Sequence, residues 1–393
     1  MRNIGLWMLG LATAAALGAC GEGDGYGDGG GNGTPPLGEA NARTWVVPDG
    51  APALSAEDRA GFTDGLLYYN AHTEANPAGE IRGQLDAAGT LRFATLDGAQ
   101  ETPAVRTEAV GAGVLSVDEA SGEVRGFFVT RGLSDVTAAH VHLAARGTPG
   151  PVIVPMTGGP DLWVVPDDAA ALTREQIDAF LEGELYFNAH TEQYQAGEIR
   201  GQLDKAGTPR LASLDGAQEV PAVTTDAFGA GLLAVDEATG QVSGFLVTSG
   251  LEPTVAHVHR EARGTAGGVV LPLAGGGDLW VVADDAAPLA EDLRGAFTAG
   301  EFYYNAHTEA NPAGEIRGQL DVAGAARLAA LDGAQETPPV TTEAFGAGIL
   351  SVDEGTGRAR GFIVTDGLSA STAAHVHREA RGTAGGIILP LGP

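Results

Sequence analysis

The nine histidines of this 393-residue chain all fall in two short motifs that recur along the sequence. The motif "AHVH" begins at Ala139, Ala256 and Ala374, and copies of "NAHT" contain the other three histidines. Alternate side chains of a β-strand share a face, so both imidazoles of each "AHVH" point the same way. Three imidazoles are the ligand count of an open zinc or copper site. The candidate metal ligands therefore form three sets: His140, His142 and His190; His257, His259 and His307; and His375, His377 and His72.

The motif "GEIRGQL" follows each "NAHT" and places a glutamate and an arginine two residues apart. Both side chains lie on one strand face, where an exposed ion pair contributes about 0.2–1 kcal/mol. A carboxylate near an imidazole can instead orient a metal ligand. The histidines also have an alternative role, because imidazoles on a polar strand face are commonly solvated or hydrogen-bonded without a metal. The candidate pairs are Glu80 with Arg82, Glu198 with Arg200, and Glu315 with Arg317.

These motifs belong to a repeat of about one small domain, because His72, His190 and His307 are 118 and 117 residues apart. In order, each repeat contains a "LDGAQE" motif, a Gly-Ala-Gly turn, a "GF(F/L/I)VT" strand, "AHVH", "NAHT" and "GEIRGQL". The expected segments are a signal peptide at 1–19, a Gly-rich tether at 20–42, the rear part of a repeat at 43–86, whole repeats at 91–204 and 210–321, and the front part of a repeat at 327–393.

The two partial repeats together contain one complete set of strands. Each part alone exposes an unpaired sheet edge and an uncovered apolar face. We expect residues 43–86 to pair with residues 327–393 of the same chain, because covalently connected segments meet at high effective concentration. The rival interpretation pairs the halves of different molecules, which produces chains or fibres because a head-to-tail contact need not close.

The local patterns predict an all-β protein. Short runs such as "GFFVT" and "VIVPM" are rich in β-branched and aromatic residues and are bounded by Gly, Asp and Pro. One short helix in each repeat is the exception, with Ser55 and Thr173 as N-caps and a capping-box spacing from Thr173 to Gln176. The expected fold is a tandem array of antiparallel β-sandwiches with one short helix per unit.

The net charge and the sequence motifs argue against two classes of function, nucleic-acid binding and catalysis. A net charge of −29 argues against nucleic acid as a partner, since phosphate binding needs clustered Lys and Arg. No Ser or Cys lies in a nucleophile motif, so no catalytic residue is assigned and enzyme activity has little support.

Arg2 and the apolar residues 4–17 form an export signal that ends in "LGAC". This ending resembles a bacterial lipobox, which implies cleavage before Cys20, the only cysteine, and lipid attachment to its sulfur.

The motifs "LDGAQETPAV", "AHVH", "YFNAHT" and "GEIRGQL", in this order, resemble the CHRD domain of chordin and of many bacterial secreted proteins. The resemblance covers nearly everything after residue 42 and implies an extracellular β-sandwich module. The family is in turn similar, distantly, to the copper/zinc superoxide dismutase sandwich, whose "HVH" strand supplies copper ligands. His140 with His142, and their counterparts in the other repeats, match that strand. The zinc-binding loop and the disulfide of that enzyme have no counterpart, so the resemblance does not extend to dismutase activity.

The expected function is that of a lipid-anchored protein of the bacterial cell envelope, on the outer membrane or the cell surface. Its CHRD modules would form a non-catalytic binding or structural surface, with an extracellular protein as a partner. One alternative is a copper or zinc binding protein with one three-histidine site per repeat. Another is a protein that assembles at the surface through exchange of its terminal half-repeats.

Overall fold

The computed structural model describes residues 43–321 and 324–392, which are almost entirely β-strand, turn and loop. The candidate lipidation residue Cys20, the predicted signal peptide and the predicted tether lie outside the described residues. The described part contains 27 strands, all paired antiparallel, and three short α-helices. The predicted all-β fold with one short helix per repeat is confirmed.

The strands fall into two whole repeats and one split repeat. The chain begins with β1 (Arg43–Val46), α1 (Ala56–Thr63), β2 (Leu67–Thr73), β3 (Ile81–Gln84) and β4 (Asp86–Ala87). The first whole repeat contains β5 (Thr90–Asp97), β6 (Val110–Val117), β7 (Val124–Arg131), β8 (Val136–Leu143), β9 (Val152–Pro155), β10 (Thr157–Gly159), β11 (Leu162–Val164), α2 (Arg174–Glu182), β12 (Leu185–Thr191) and β13 (Ile199–Gln202). The second whole repeat contains β14 (Thr208–Asp215), β15 (Phe228–Val235), β16 (Val242–Ser249), β17 (Val255–Arg260), β18 (Gly268–Pro272), β19 (Ala274–Gly276), β20 (Leu279–Val281), α3 (Glu291–Thr298), β21 (Phe302–His307) and β22 (Ile316–Gln319). The chain ends with β23 (Ala325–Asp332), β24 (Phe345–Val352), β25 (Ala359–Asp366), β26 (Ser371–Arg378) and β27 (Gly386–Leu391).

Each whole repeat is one curled sheet whose two halves pack face to face. In the first whole repeat the strand order is β10-β11-β7-β6-β5-β13-β12-β8-β9. Phe128 of β7 and Phe187 of β12 contact each other across the interior, with ring centroids 5.0 Å apart. Strand alternation buries Leu185, Phe187 and Ala189 in this interior and turns Tyr186, Asn188 and His190 to the outer face. The candidate ligands are thus held on the outside of a rigid, well-packed sheet.

The split repeat is built from both ends of the described chain. Its sheet has the order β1-β25-β24-β23-β3-β2-β26-β27, so β3 and β2 from the start of the chain lie between strands from its end, and β4 also pairs with β23. Val46 and Gly392 exchange two backbone hydrogen bonds, of 2.9 Å and 2.8 Å. This pairing takes place within one chain, and a partner molecule is not needed to complete the sheet.

Each repeat has one of the three helices, and that helix packs against the core of its own sandwich. Thr173 forms a full capping box with Gln176 at the start of α2, and Gly183 ends that helix in the left-handed conformation with φ 80°. Ser55 caps α1 by accepting a single backbone hydrogen bond from the N–H of Asp58, whereas α3 follows Ala290 and has no side-chain cap. Within residues 43–321 and 324–392, no helix combines the length and the apolar character that a bilayer crossing requires.

A fourth apolar core lies between the repeats. The outer face of the β5-β6-β7-β11 half-sheet is apolar, and it packs against the equivalent faces of the other two repeats. Phe362 of the split repeat contacts Phe127 and Phe245, with ring centroids 6.3 Å and 6.0 Å apart and nearly perpendicular planes. Each sandwich therefore uses one outer face for packing between repeats and keeps the opposite outer face for its histidines.

Equivalent ion pairs close the arrangement into a ring. Each joins an arginine that follows an "AHVH" strand to an aspartate of the next repeat, first to second, second to split, and split to first. Such half-exposed pairs contribute little stability individually, about 0–1 kcal/mol, and all three join the repeats in the same direction around the ring. The pairs are Arg146 with Asp284 at 2.7 Å, Arg263 with Asp49 at 3.0 Å, and Arg381 with Asp167 at 2.8 Å.

Candidate metal centres

The two histidine motifs occupy neighbouring strands in every repeat. In the first whole repeat β8 pairs with β12, so His140 lies opposite Asn188 and His142 lies opposite Tyr186. A β-bulge follows His190, which ends the regular pairing at the edge of the cluster. Strands β17 and β21 repeat this register in the second whole repeat, and β26 and β2 repeat it in the split repeat. The third set depends on both chain ends, since His72 comes from one end and its two partners come from the other.

The three imidazoles of each set converge. One nitrogen from each histidine lies within 4.8 Å of the other two in all three sets, and within the described residues no carboxylate or thiol belongs to such a group. Two nitrogens bound to the same tetrahedral zinc, each at about 2.0–2.1 Å, are about 3.3 Å apart. His257 Nδ1 and His307 Nε2 are already 3.2 Å apart. Small side-chain rotations would bring the sets to coordinating distance.

Backbone carbonyls fix which nitrogen of two histidines faces the cluster. His142 Nδ1 lies 2.9 Å from Gly150 O, and His190 Nδ1 lies 3.1 Å from Gln195 O. A carbonyl oxygen only accepts hydrogen bonds, so Nδ1 donates its proton and Nε2 keeps a free lone pair. This is the arrangement in which metal-binding histidines are normally held. The equivalent bonds are His259 to Gly267 at 3.0 Å, His307 to Pro312 at 3.2 Å, His377 to Gly385 at 3.0 Å, and His72 to Pro77 at 3.2 Å.

In the first whole repeat and the split repeat, the nitrogens that face the cluster are buried and lack hydrogen-bond partners. In the first whole repeat they are Nδ1 of His140 and Nε2 of His142 and His190. Buried polar atoms are nearly always hydrogen-bonded, and leaving one unpaired costs about 1–3 kcal/mol. A bound cation would satisfy all three lone pairs at once. The split repeat has the same pattern, with unpartnered Nδ1 of His375 and Nε2 of His72 and His377. In the second whole repeat only Nε2 of His259 is buried without a partner, because His257 Nδ1 and His307 Nε2 are hydrogen-bonded to each other at 3.2 Å.

Burial also keeps the histidines in their ligating form. Removal from water lowers the pKa of all nine imidazoles, and neighbouring histidines lower several of them further. The pKa of His190, of His307 and of His375 falls to about 4. At neutral pH each set therefore presents uncharged imidazoles, which suit zinc and copper.

The predicted Glu–Arg ion pairs are wrong. Glu198 accepts hydrogen bonds from Thr191 and Thr107, at 2.8 Å and 2.7 Å. Arg200 instead donates to the backbone carbonyls of Thr148 and Ala145, at 2.9 Å and 3.1 Å, and no ion pair joins it to Glu198 in the described part of the chain. The two side chains do share a strand face, but loop carbonyls and hydroxyls give each of them closer partners than the other. Glu80 with Arg82, and Glu315 with Arg317, behave in the same way.

A tyrosine that was not among the predicted site residues lies beside each cluster. Tyr186 stacks on His142 with ring centroids 4.9 Å apart and an angle of 14°. Tyr303 and Tyr68 stack on His259 and His377 in the same way. The signal was present in "YFNAHT" and "YYNAHT", because the tyrosine lies two residues before the asparagine and four before the histidine. Strand alternation puts all three on one face.

A half-buried glutamate, Glu101, lies beyond this strand face. Asn188, opposite His140 in the sheet, donates from Nδ2 to Glu101 Oε1 at 2.9 Å. Burial raises the pKa of Glu101 to about 7, and the equivalent Glu219 is raised to the same value. The glutamates lie outside the histidine sets, so the candidate metal ligands are imidazoles alone.

Comparison with known proteins identifies the repeat. The family model of the CHRD domain matches residues 27–85, 92–203, 211–320 and 328–393, which together make up most of the chain. The first match begins inside the segment expected to be a tether. No curated protein and no solved structure matches the chain, so the distant similarity to superoxide dismutase stays a prediction. With two whole matches and two partial ones across its length, the chain belongs to the CHRD domain family.

Proposed function

We propose that each CHRD repeat binds one zinc or copper ion through its three histidines, on a protein anchored by lipid to the bacterial cell envelope. CHRD domains suggest a binding or structural module, and metal binding gives that module a specific ligand. The observations that support it best are the convergence of three imidazoles in every repeat and, in the first whole repeat and the split repeat, three buried nitrogens without hydrogen-bond partners. A purely structural role for these histidines leaves those nitrogens unexplained.

The donor set limits what the ion could do. Three neutral imidazoles would hold a divalent ion and leave at least one coordination position for water or another ligand. A bound zinc or copper ion would act there as a Lewis acid, and copper would add redox chemistry. The chain's own contribution is to hold three lone pairs in place and to keep them unprotonated. No catalytic residue is proposed.

Metal stoichiometry tests the proposal. Purified mature protein, stripped with a chelator and titrated with zinc or copper, is expected to bind three ions per chain. His190→Ala removes one ligand of the first whole repeat and should lower the number to two. Glu192→Ala is the matched control, because this exposed side chain lies two residues away and should leave three ions bound. Binding that is absent at submillimolar metal, or unchanged in His190→Ala, would leave a metal-free binding or structural module as the function.

The envelope location is proposed from the sequence "LGAC" and the apolar segment before it. Replacing Cys20 with Ser removes the sulfur that would carry the lipid, so incorporation of labelled fatty acid should be lost. Gly23→Ala is the control and should retain the label. A Cys20→Ser protein that still incorporates the fatty acid would contradict the anchor.

The partner of the module is proposed to be another extracellular protein or the metal alone. A net charge of −29 makes nucleic acid a poor partner, because it would repel a polyphosphate backbone.

A further inference from the structure

A three-layer stack of side chains backs one metal-binding histidine in every repeat. In the second whole repeat the guanidinium carbon of Arg317 lies 3.5 Å from the centroid of the Tyr303 ring. The other side of this stack is His259, whose ring lies 5.1 Å from that of Tyr303 at an angle of 16°. The corresponding stacks in the other repeats are Arg200, Tyr186 and His142, and Arg82, Tyr68 and His377.

The tyrosine is linked to the histidine by a second route, through one glycine. Gly267 donates its backbone N–H to the Tyr303 hydroxyl at 2.9 Å, and its carbonyl oxygen accepts from His259 Nδ1 at 3.0 Å. The hydroxyl and the ring of Tyr303 therefore act on the same imidazole, one by placing the carbonyl and the other by stacking. A Cβ on Gly267 would collide with the carbonyl oxygen of Arg260, so this loop accepts no side chain there.

The arginine fixes the loop that carries the glycine. Arg317 donates to the carbonyls of Thr265 and Ala262, at 2.8 Å and 3.2 Å, and to Gln319 Oε1 at 3.2 Å. It is only 2% exposed, yet no carboxylate in the described chain forms an ion pair with it. Burying a cation without a counter-ion is costly unless its donors are satisfied, and here they are satisfied by the loop. In all three repeats the buried guanidinium donates to the carbonyls of the loop that follows the "AHVH" strand.

We propose that Tyr303 and Arg317, with their counterparts Tyr186 and Arg200, and Tyr68 and Arg82, are positioning residues for the metal site. They hold the imidazole of His259, His142 or His377 with Nε2 aimed at the ion and with Nδ1 protonated. This inference rests on the proposed metal binding and adds to it the residues that set the affinity. Residues that orient a ligand in this way typically change metal affinity by about 10–100-fold when they are replaced.

The test uses the full mature chain with a single intact site. His190→Ala and His72→Ala together should disable the first and split repeats and leave the second as the only high-affinity site. In this background Tyr303→Phe deletes one hydroxyl and keeps the ring. Zinc affinity, measured by competition with a chromophoric chelator, is expected to fall about tenfold or more. The visible absorption of the cobalt-substituted protein should shift, because one imidazole loses its fixed orientation.

Tyr304→Phe is the matched control. The Tyr304 hydroxyl is also buried and donates to Leu232 O at 2.8 Å, but it faces the sandwich interior on the other side of the strand. Its loss should lower the unfolding temperature and leave zinc affinity and the cobalt spectrum unchanged. Arg317→Lys is a second site variant, expected to weaken zinc binding because an ammonium cannot bridge the same carbonyls.

The outcomes separate the two proposals. A single-site background that binds no metal overturns both. A background that binds metal, together with a Tyr303→Phe affinity and cobalt spectrum equal to those of Tyr304→Phe, overturns the positioning role and leaves metal binding in place. If Tyr303→Phe binds zinc more weakly and has a shifted cobalt spectrum while Tyr304→Phe shows neither change, the positioning role is supported.

Discussion

Deletion of residues 43–86 is expected to abolish folding of the split repeat and to make the protein insoluble. The segment supplies β1 to β3, α1 and a large part of that core, including Leu67, Tyr69, Ile81 and Leu85, all fully buried. Each such side chain contributes about 1.5–3 kcal/mol through burial, whereas a domain is stable by only about 5–15 kcal/mol in total. The loss therefore exceeds what the remaining strands can tolerate. Soluble expression and near-ultraviolet circular dichroism measure the effect.

A circular permutant provides the control for this deletion. A chain that runs from residue 90 to residue 392, continues through a short Gly/Ser linker and ends with residues 43–88 keeps every strand. Val46 and Gly392 are hydrogen-bonded neighbours, so the new connection is short. We expect the permutant to be folded, monomeric and able to bind the same number of metal ions. A folded deletion protein, or a permutant that forms concentration-dependent oligomers, would contradict pairing of the two ends within one chain.

Phe362→Ala is expected to destabilise the protein by about 3–5 kcal/mol, the usual cost of truncating a fully buried phenylalanine. Phe362 is 1% exposed and contacts a phenylalanine of each of the other two repeats. Truncation would open a cavity at the point where the three sandwiches meet, and neither neighbouring ring can fill it without losing its own contacts. Equilibrium unfolding in guanidinium chloride, followed by tryptophan fluorescence, measures the change in the free energy of unfolding.

Ile387→Ala is the matched control for Phe362→Ala. Ile387 belongs to the same split repeat but is 55% exposed on an edge strand, so its truncation should change the free energy of unfolding by less than about 0.5 kcal/mol. Equal effects of the two substitutions would mean that the core between the repeats contributes little to stability. A second, earlier transition in Phe362→Ala would show that the repeats unfold separately once their shared core is weakened.

Several features of this protein follow from the sequence because their causes are local. The regular spacing of His72, His190 and His307 defines the repeat, and the capping box at Thr173 defines the start of a helix. Strand alternation alone places His140 and His142 on one face. These inferences need only neighbouring residues and the period of a β-strand.

Other features depended on which strands become neighbours. Nothing local in "AHVH" and "NAHT" says that β8 lies beside β12, roughly 45 residues further along the chain, and only that pairing brings His190 to His140 and His142. The same holds for Arg200, which was expected to pair with Glu198 and instead meets loop carbonyls some 50 residues away in sequence.

By itself, the sequence determined the repeat, the all-β class, the short helices and the strand face of each histidine, since these depend on side-chain periodicity and capping within a few residues. Only the tertiary structure decided that three imidazoles converge, that a tyrosine and an arginine back one of them, and that Phe127, Phe245 and Phe362 share one core. The physical reason is that strand neighbours and sheet-face partners are selected by burial of the whole apolar surface. That selection involves every repeat at once and leaves no signature in any single motif.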